Sequence, residues 1–79
     1  MPAVFFLSTV LRRFVEDYDA EKGLSLEPAG NETVRSACAR IGIPPERIKM
    51  VMVNGRRASL DGPVRDGDRV GLFPPVGGG

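Results

Sequence analysis

The sequence predicts an α+β domain in which one helix packs against a mixed β-sheet. Three observations predict this class: short apolar segments rich in strand-forming residues, a single stretch with helical periodicity between them, and an Asn-Gly turn dipeptide in the second half of the chain. The length of 79 residues allows one domain, and 42% hydrophobic with 27% charged residues is ordinary usage for a folded chain. We therefore expect one small domain in which each large apolar side chain contributes to the core.

The first two strands are predicted near the amino-terminal end. Ala3–Leu7 is apolar on both of its alternating faces, which is typical of a strand covered on two sides, or covered on one side by a partner. Leu24–Glu27 alternates apolar and polar residues before Pro28, and we predict that it pairs with the first strand as a hairpin. Between them, Ser8–Gly23 either continues the first strand or forms a short helical turn, and the sequence leaves both open.

The helix is predicted from apolar residues spaced by three and four positions: Val34, Ala37, Cys38 and Ile41. Asn31 or Thr33 can cap its amino-terminal end, because each side chain has an oxygen that accepts a hydrogen bond from a free backbone N–H group. Gly42 supplies a left-handed cap at the other end, and Pro44-Pro45 prevents the helix from continuing. Cys38 lies on the apolar stripe, so a buried and inert thiol is predicted there in preference to a sulfur relay.

Three further strands complete the predicted sheet. Met50–Val53 and a short strand near Arg56–Ala58 flank Asn54-Gly55, whose residues tolerate the positive φ of a type I′ turn. Val70–Phe73 is the last strand, and Pro74-Pro75 ends it because proline lacks the N–H group that a strand donates. The order strand, strand, helix, strand, short strand, strand indicates a mixed sheet with one face covered by the helix.

Charge and residue types exclude several classes of function. Eleven Lys and Arg against ten Asp and Glu give a net charge of +1, too weak a field for nucleic-acid binding or a polybasic membrane anchor. With no histidine and one cysteine, neither a zinc site, a Ser-His-Asp triad nor an internal disulfide is expected. The chain lacks a glycine-rich phosphate motif between strand and helix, so it is not expected to bind ATP by itself. We expect a cytoplasmic protein with no nucleic-acid partner, no membrane partner and no bound cofactor.

Glycine and proline are concentrated at the carboxyl-terminal end, which reads Pro74-Pro75-Val76-Gly77-Gly78-Gly79. The prolines favour an extended form, and the glycines allow backbone conformations closed to other residues. Gly79 has no Cβ beside its carbonyl, so its carboxylate is unhindered for acyl activation. We therefore divide the chain into a folded domain, residues 1–73, and a tail, residues 74–79, that reaches about 20 Å at ~3.3 Å per residue. A frayed chain end is the alternative interpretation.

The order of elements resembles the ubiquitin-like β-grasp fold, a ββαββ chain whose mixed sheet packs on one main helix. Within that fold the sequence is similar to the MoaD/ThiS family of sulfur-carrier proteins, most of all to the small subunit of molybdopterin synthase. The resemblance is carried by four segments: Leu11–Phe14, Thr33–Arg35, Val53–Gly55 and Asp66–Gly79. Only the last is specific, because it joins a strand to the chain end that the chemistry needs. Members of the family usually end in Ala-Gly-Gly, and this chain has Gly77 where that alanine lies.

This resemblance implies a carrier and not an enzyme. A MoeB/ThiF-like enzyme of the ubiquitin-activating type would adenylate Gly79 with ATP, and sulfur from a cysteine desulfurase or a rhodanese would convert it to a thiocarboxylate. The acceptor would be the molybdopterin precursor, held by a MoaE-like large subunit of molybdopterin synthase. Thiazole synthase in thiamine synthesis is the runner-up, and cysteine or tungsten-cofactor synthesis is a third possibility. Two other classes stay open: a protein modifier conjugated to lysines through Gly79, and an interaction module that does not need the tail.

Four residues of the domain are predicted to contact partners: Phe73, Phe6, Arg12 and Arg56. Phe73, at the base of the tail, is either a core residue or an exposed apolar anchor, and the same question applies to Phe5 or Phe6. The pairs Arg12-Arg13 and Arg56-Arg57 either meet an acidic partner surface or are simply solvated.

Overall fold

Six main elements form the domain in the computed structural model, which describes residues 1–75. Their bounds are β1 Ala3–Leu7, β2 Leu24–Leu26, α1 Val34–Ile41, β3 Met50–Val53, β4 Arg56–Ala58 and β5 Arg69–Phe73. Two 3₁₀ helices, Thr9–Phe14 and Pro45–Arg47, lie between them. The predicted strands and the helix are all present. The predicted tail residues Val76, Gly77, Gly78 and Gly79 lie outside the described residues.

The sheet has 5 strands in the order β2-β1-β5-β3-β4. β1 and β5 run parallel, whereas the other three pairs are antiparallel, so the sheet is mixed as predicted. Asn54 and Gly55 have positive φ values of 52° and 80°, as the tight turn between β3 and β4 requires. β5 occupies the middle of the sheet, so the chain leaves the domain from the central strand.

The core lies between α1 and one face of the sheet. Five side chains of β1 and β5 that point towards α1 are 2% exposed or less: Ala3, Phe5, Leu7, Val70 and Leu72. Val34, Ala37 and Cys38 form the facing stripe of the helix. Burial raises the pKa of the Cys38 thiol to about 11, so the thiol stays protonated at neutral pH. The predicted burial of this cysteine is confirmed.

Hydrogen bonds fix both ends of α1. Thr33 is the N-cap: its hydroxyl accepts from the Ser36 N–H group at 3.0 Å, and the Ser36 hydroxyl accepts from the Thr33 N–H group at 3.0 Å. The other predicted candidate, Asn31, lies outside the helix with a φ of 62°. Gly42 ends the helix in the left-handed conformation, with a φ of 103°, as predicted.

A buried carboxylate precedes α1. The Glu32 side chain is 1% exposed and accepts hydrogen bonds from the Ala29 N–H group at 2.9 Å, from the Ser36 hydroxyl and from the Arg40 guanidinium. These bonds, that from Ala29 foremost, hold the pKa of Glu32 below its ordinary value although burial opposes the shift. The ionised carboxylate therefore ties the loop before α1 to both the first and the last turn of the helix.

The segment after β1, for which the sequence leaves two possibilities, forms the 3₁₀ helix Thr9–Phe14. This helix and the residues after it are tied to the end of β1: the Arg12 Nε donates to the Leu7 carbonyl at 2.9 Å, and the Tyr18 hydroxyl accepts from the Leu7 N–H group at 2.8 Å. The Arg12 guanidinium also lies 5.8 Å from the centroid of the Tyr18 ring. Since β1 and β5 are parallel, this segment is held beside the end of β5.

Candidate functional site

The candidate site is the end of β5, where the domain meets the predicted tail. β5 is hydrogen-bonded up to its last residue: the Ser8 N–H group donates to the Leu72 carbonyl at 3.1 Å, and the Lys49 N–H group donates to the Phe73 carbonyl at 2.8 Å. Pro74-Pro75 follows and has no N–H group to donate. The strand therefore stops at a fixed position, and the predicted tail starts from that position.

Phe73 lies on the sheet face opposite α1 and is half-buried. Its ring lies across Gly71: a Cβ atom at Gly71 would be 3.2 Å from Phe73 Cε1, so the glycine leaves room for the ring. Phe6 is in register with Gly71, lies on the same outer face and is half-buried, with the Arg69 guanidinium 5.2 Å from its ring centroid. Phe5 is 0% exposed. Register thus decides the question left open by the sequence: Phe5 is a core residue, whereas Phe6 and Phe73 belong to the outer face.

Three cavities adjoin the Phe73–Pro75 segment on the described surface. The tail-base groove, as we call the first, has a volume of about 400 Å³ and is lined by Val10, Leu11, Arg13, Phe14, Arg47, Pro74 and Pro75. The sheet-face groove has a volume of about 470 Å³ and is lined by Ser8, Lys49, Met50, Arg57, Phe73, Pro74 and Pro75. A smaller cavity of about 220 Å³ is lined by Phe6, Leu7, Ser8, Arg12, Tyr18, Ala20 and Phe73. Pro74 and Pro75 line both of the larger grooves, so both grooves lie directly beside the start of the predicted tail.

Every charged side chain that lines these cavities is positive: Arg12, Arg13, Arg47, Lys49 and Arg57. None of them takes part in the ion pairs found within residues 1–75, which are Met1–Asp66, Arg35–Asp61 and Arg40–Glu32. The whole chain carries a net charge of only +1. Positive charge is therefore concentrated around the base of the tail, a distribution that the net charge conceals.

Three of the four residues predicted to contact partners line these cavities: Phe73, Phe6 and Arg12. Arg56 lines none of the three. In the pairing of β3 with β4, Arg57 lies opposite Met52 on the outer face, whereas Arg56 lies opposite Val53. The neighbouring arginine, Arg57, is therefore the one that reaches the sheet-face groove.

Sequence reasoning does not identify Arg47, Lys49 or Phe14 as residues of the site. Arg47 and Lys49 lie just before β3, and β3 pairs antiparallel with β5, so the start of one strand is beside the end of the other. The usable signal is a pair of basic residues directly before a strand that pairs with the last strand. Phe14 has no such signal, because its place depends on the 3₁₀ helix after β1.

The side chains that line these cavities are of types that can bind another molecule. Their polar side chains are guanidinium, ammonium and hydroxyl groups, and none of the described residues that line them brings a carboxylate, an imidazole or a thiol. Within residues 1–75, no group of three or more His, Cys, Asp or Glu side chains is placed to hold a metal ion. No helix of the described region is long and apolar enough to cross a membrane. The site is thus a basic and partly apolar surface at the point where the predicted tail begins.

Known proteins share both the sequence pattern and the fold. The sequence profile of the ThiS family matches residues 11–79, a range that includes β5 and the tail. No curated protein sequence matches the chain. Among solved structures, SAMP1 from Haloferax volcanii has a similar fold, with a TM-score of 0.70, 23% identity and 100% of both chains covered.

Two further structures show the same likeness. Small archaeal modifier protein 1 from H. volcanii gives a TM-score of 0.71 at 22% identity, covering 95% of this chain and 98% of that chain. A Pyrococcus furiosus protein assigned as molybdopterin converting factor, subunit 1, gives a TM-score of 0.69 at 23% identity, covering 96% of this chain and 99% of that chain. These likenesses show the predicted ubiquitin-like β-grasp fold. Since the family profile matches most of the sequence, the chain belongs to the ThiS family.

Proposed function

We propose that this protein is a sulfur carrier for molybdopterin synthesis and that the carboxylate of Gly79 is its reactive group. The end of β5 carries the proposal: the strand is hydrogen-bonded through Phe73, and the next residues are Pro74-Pro75 followed by Val76-Gly77-Gly78-Gly79. A fixed starting point and small residues near the end suit a chain end that enters another protein's active site.

The proposed reaction has three steps. A carboxylate oxygen of Gly79 attacks the α-phosphorus of ATP held by a MoeB/ThiF-like activating enzyme, so that pyrophosphate leaves and an acyl-adenylate forms. A persulfide sulfur, supplied by a cysteine desulfurase or a rhodanese, then attacks the acyl carbon, and AMP leaves. A second thiol cleaves the S–S bond, which leaves the thiocarboxylate and a disulfide. Because Gly79 has no Cβ, the acyl carbon is open to both sulfur attack and later transfer.

The domain's role in this reaction is to be bound by the partner enzymes. None of the described residues that line the cavities around Phe73–Pro75 is a carboxylate, a histidine or a cysteine, and we expect the catalytic groups to come from the partner enzymes. The half-buried Phe6 and Phe73 offer apolar contacts on the outer face, and Arg12 offers a charged one beside them. We propose that the activating enzyme and a MoaE-like large subunit bind this face in turn. The contact predicted for Arg56 stays a prediction, since this residue lines none of the three cavities.

The sulfur acceptor is assigned from the residues around the strand end. The run Leu72-Phe73-Pro74-Pro75-Val76 resembles the small subunit of molybdopterin synthase, and the P. furiosus structure gives a fold-level likeness in the same direction. Thiazole synthase, cysteine synthesis and tungsten-cofactor synthesis would use the same chain-end chemistry. Copurification of the large partner from the cytoplasm, where we expect the reaction to occur, separates these acceptors.

Protein modification is the second candidate function. It is favoured by the likeness to SAMP1, a small archaeal modifier protein, over the full length of both chains. In this case the amine of a target lysine attacks the activated Gly79 carbonyl, AMP leaves and an isopeptide bond forms. Peptides whose lysines carry the terminal glycines of this chain, found in digests of cell extract, would support this function.

Intact mass spectrometry tests the carrier function. After incubation with an activating enzyme, ATP and a sulfur donor, we expect one oxygen of the full chain to be replaced by sulfur. A variant that lacks Gly78 and Gly79 should gain no sulfur, yet unfold at the wild-type temperature, because the strand hydrogen bonds end at Phe73. A truncated chain that still gains sulfur, or still supports cofactor synthesis, would overturn the proposal.

A further inference from the structure

The tail-base groove combines apolar walls with unpaired positive charge. Val10 and Phe14 form its apolar part, and Pro74-Pro75 forms the wall next to the tail. Val10 is 50% exposed, and besides Met1 it is the only large hydrophobic residue of the described chain that is classed as exposed. An isolated exposed valine is ordinary, but this one adjoins an aromatic ring and two prolines in a single groove. Such a surface suits an apolar side chain from another molecule.

The charges of the groove have no carboxylate partner among the described residues. Arg13 donates from Nε to the Val10 carbonyl of its own 3₁₀ helix at 3.3 Å, and the side chain of Arg47 makes no hydrogen bond or ion pair within residues 1–75. Glu46, the neighbour of Arg47, does not line the groove. By contrast, Arg35 and Arg40 are paired with carboxylates elsewhere. Two guanidinium groups in one groove therefore complement a ligand that carries negative charge.

We propose that the tail-base groove binds an extended acidic segment of the activating enzyme. In this arrangement an apolar side chain of the segment contacts Val10 and Phe14, and carboxylates on either side pair with Arg13 and Arg47. An inorganic anion would use the arginines and leave the apolar walls uncovered. Because Pro74-Pro75 is part of the groove, the bound segment lies along the base of the tail and sets the direction in which the tail enters the active site. The identity of the partner rests on the proposed function, whereas the chemistry of the ligand rests on the groove.

Titration of the full chain, labelled with ¹⁵N, tests the groove with a defined probe. The probe is an acetylated and amidated peptide of sequence Glu-Asp-Leu-Glu-Leu-Asp-Glu, and the controls are the same peptide with Gln and Asn in place of its acids, and inorganic pyrophosphate. We expect backbone amide shifts concentrated in Thr9–Phe14 and at Glu46 and Arg47, and binding that weakens as salt is added. The amide peptide should leave the spectrum unchanged.

Charge reversal locates the binding site. The double substitution Arg13→Glu with Arg47→Glu should raise the Kd for the acidic peptide at least about tenfold, because two attractions become repulsions. Arg65→Glu is the matched control, since Arg65 is exposed, has no ion pair within the described chain and precedes β5 at the far end of the strand from the groove. The Kd of the Arg65→Glu variant for the acidic peptide should equal that of the wild type. Thermal unfolding of each variant verifies that it is folded.

The possible outcomes separate this proposal from the proposed function. No shift with the acidic peptide, equal binding of the amide peptide, shifts centred on the sheet-face groove, or the same response to pyrophosphate alone would each overturn it. The variant without Gly78 and Gly79 should bind the peptide like the wild type, because it keeps all the described residues that line the groove. A chain that gains sulfur but does not bind the peptide refutes only the docking site. A chain that binds the peptide but gains no sulfur refutes only the carrier function.

Discussion

Charge is used differently in two regions of this molecule. Before α1, the Glu32 carboxylate is 1% exposed, and hydrogen bonds from Ala29, Ser36 and Arg40 surround it. Around Phe73–Pro75, by contrast, five cationic side chains line the cavities, and none has an ion-pair partner within residues 1–75. A buried charge with a full set of partners is part of the fold, whereas exposed charges without partners add little stability and are available to another molecule. The comparison separates the residues that hold the domain together from those that it presents.

The largest effect on stability is expected from Glu32→Ala. The substitution leaves the Ala29 N–H group, the Ser36 hydroxyl and the Arg40 guanidinium without their common acceptor, and it should cost about 2–4 kcal/mol of unfolding free energy. Urea unfolding of the variant measures this cost. Glu27→Ala is the matched control, because Glu27 is exposed, and its effect should stay within about 0.5 kcal/mol. Equal losses in the two variants would mean that the buried carboxylate does not stabilise the fold.

Acid should remove the same stabilisation gradually. The pKa of Glu32 is lowered from 4.5 in the folded state, so its contribution to stability is complete well above pH 4.5 and is lost as the pH falls through the folded-state pKa. The gap in unfolding free energy between the wild type and Glu32→Gln should therefore be constant from pH 7 down to about pH 5.5 and shrink in more acidic solution. Urea unfolding of both chains across this range provides the measurement. A gap that widens on acidification would contradict the ionised state assigned to Glu32.

The smallest effect on stability is expected at the base of the tail. Arg13→Ala and Arg47→Ala remove exposed cations that have no ion pair within the described residues, so each should change the unfolding free energy by less than about 0.5 kcal/mol. Thermal and urea unfolding measure these changes. A loss as large as that of Glu32→Ala would show that the arginines hold the domain together, and the contrast between the two regions would then disappear.

The parts of the fold that depend only on residues close together in the sequence can be predicted from it. The Thr33 cap and the Asn54-Gly55 turn are examples, because their side-chain oxygens and positive φ angles act over a few residues. The 3₁₀ helix Thr9–Phe14 cannot be predicted in this way. Its Arg12, and Tyr18 beyond it, are hydrogen-bonded to Leu7 of β1, and its first residue has a φ of 32°, which a β-branched residue disfavours.

The candidate site is predictable where it is continuous in sequence and not where it is assembled in space. Phe73 and the tail are read directly from the chain end. Arg47 and Lys49 reach the site only because β3 pairs with β5, and strand order does not follow from local pattern. The choice between Arg56 and Arg57 depends on register, since a shift of one residue exchanges the faces of the sheet.

Peptide mapping after the sulfur-transfer reaction decides whether the chain end or the thiol carries the sulfur. The full chain is incubated with an activating enzyme, ATP and a sulfur donor, and tandem mass spectrometry then locates the sulfur. We expect one oxygen of Gly79 to be replaced by sulfur and Cys38 to be unmodified, because this thiol is buried and its raised pKa of about 11 keeps it protonated. An extra sulfur on Cys38 together with an unmodified terminal peptide would contradict the assignment of the chemistry to the tail.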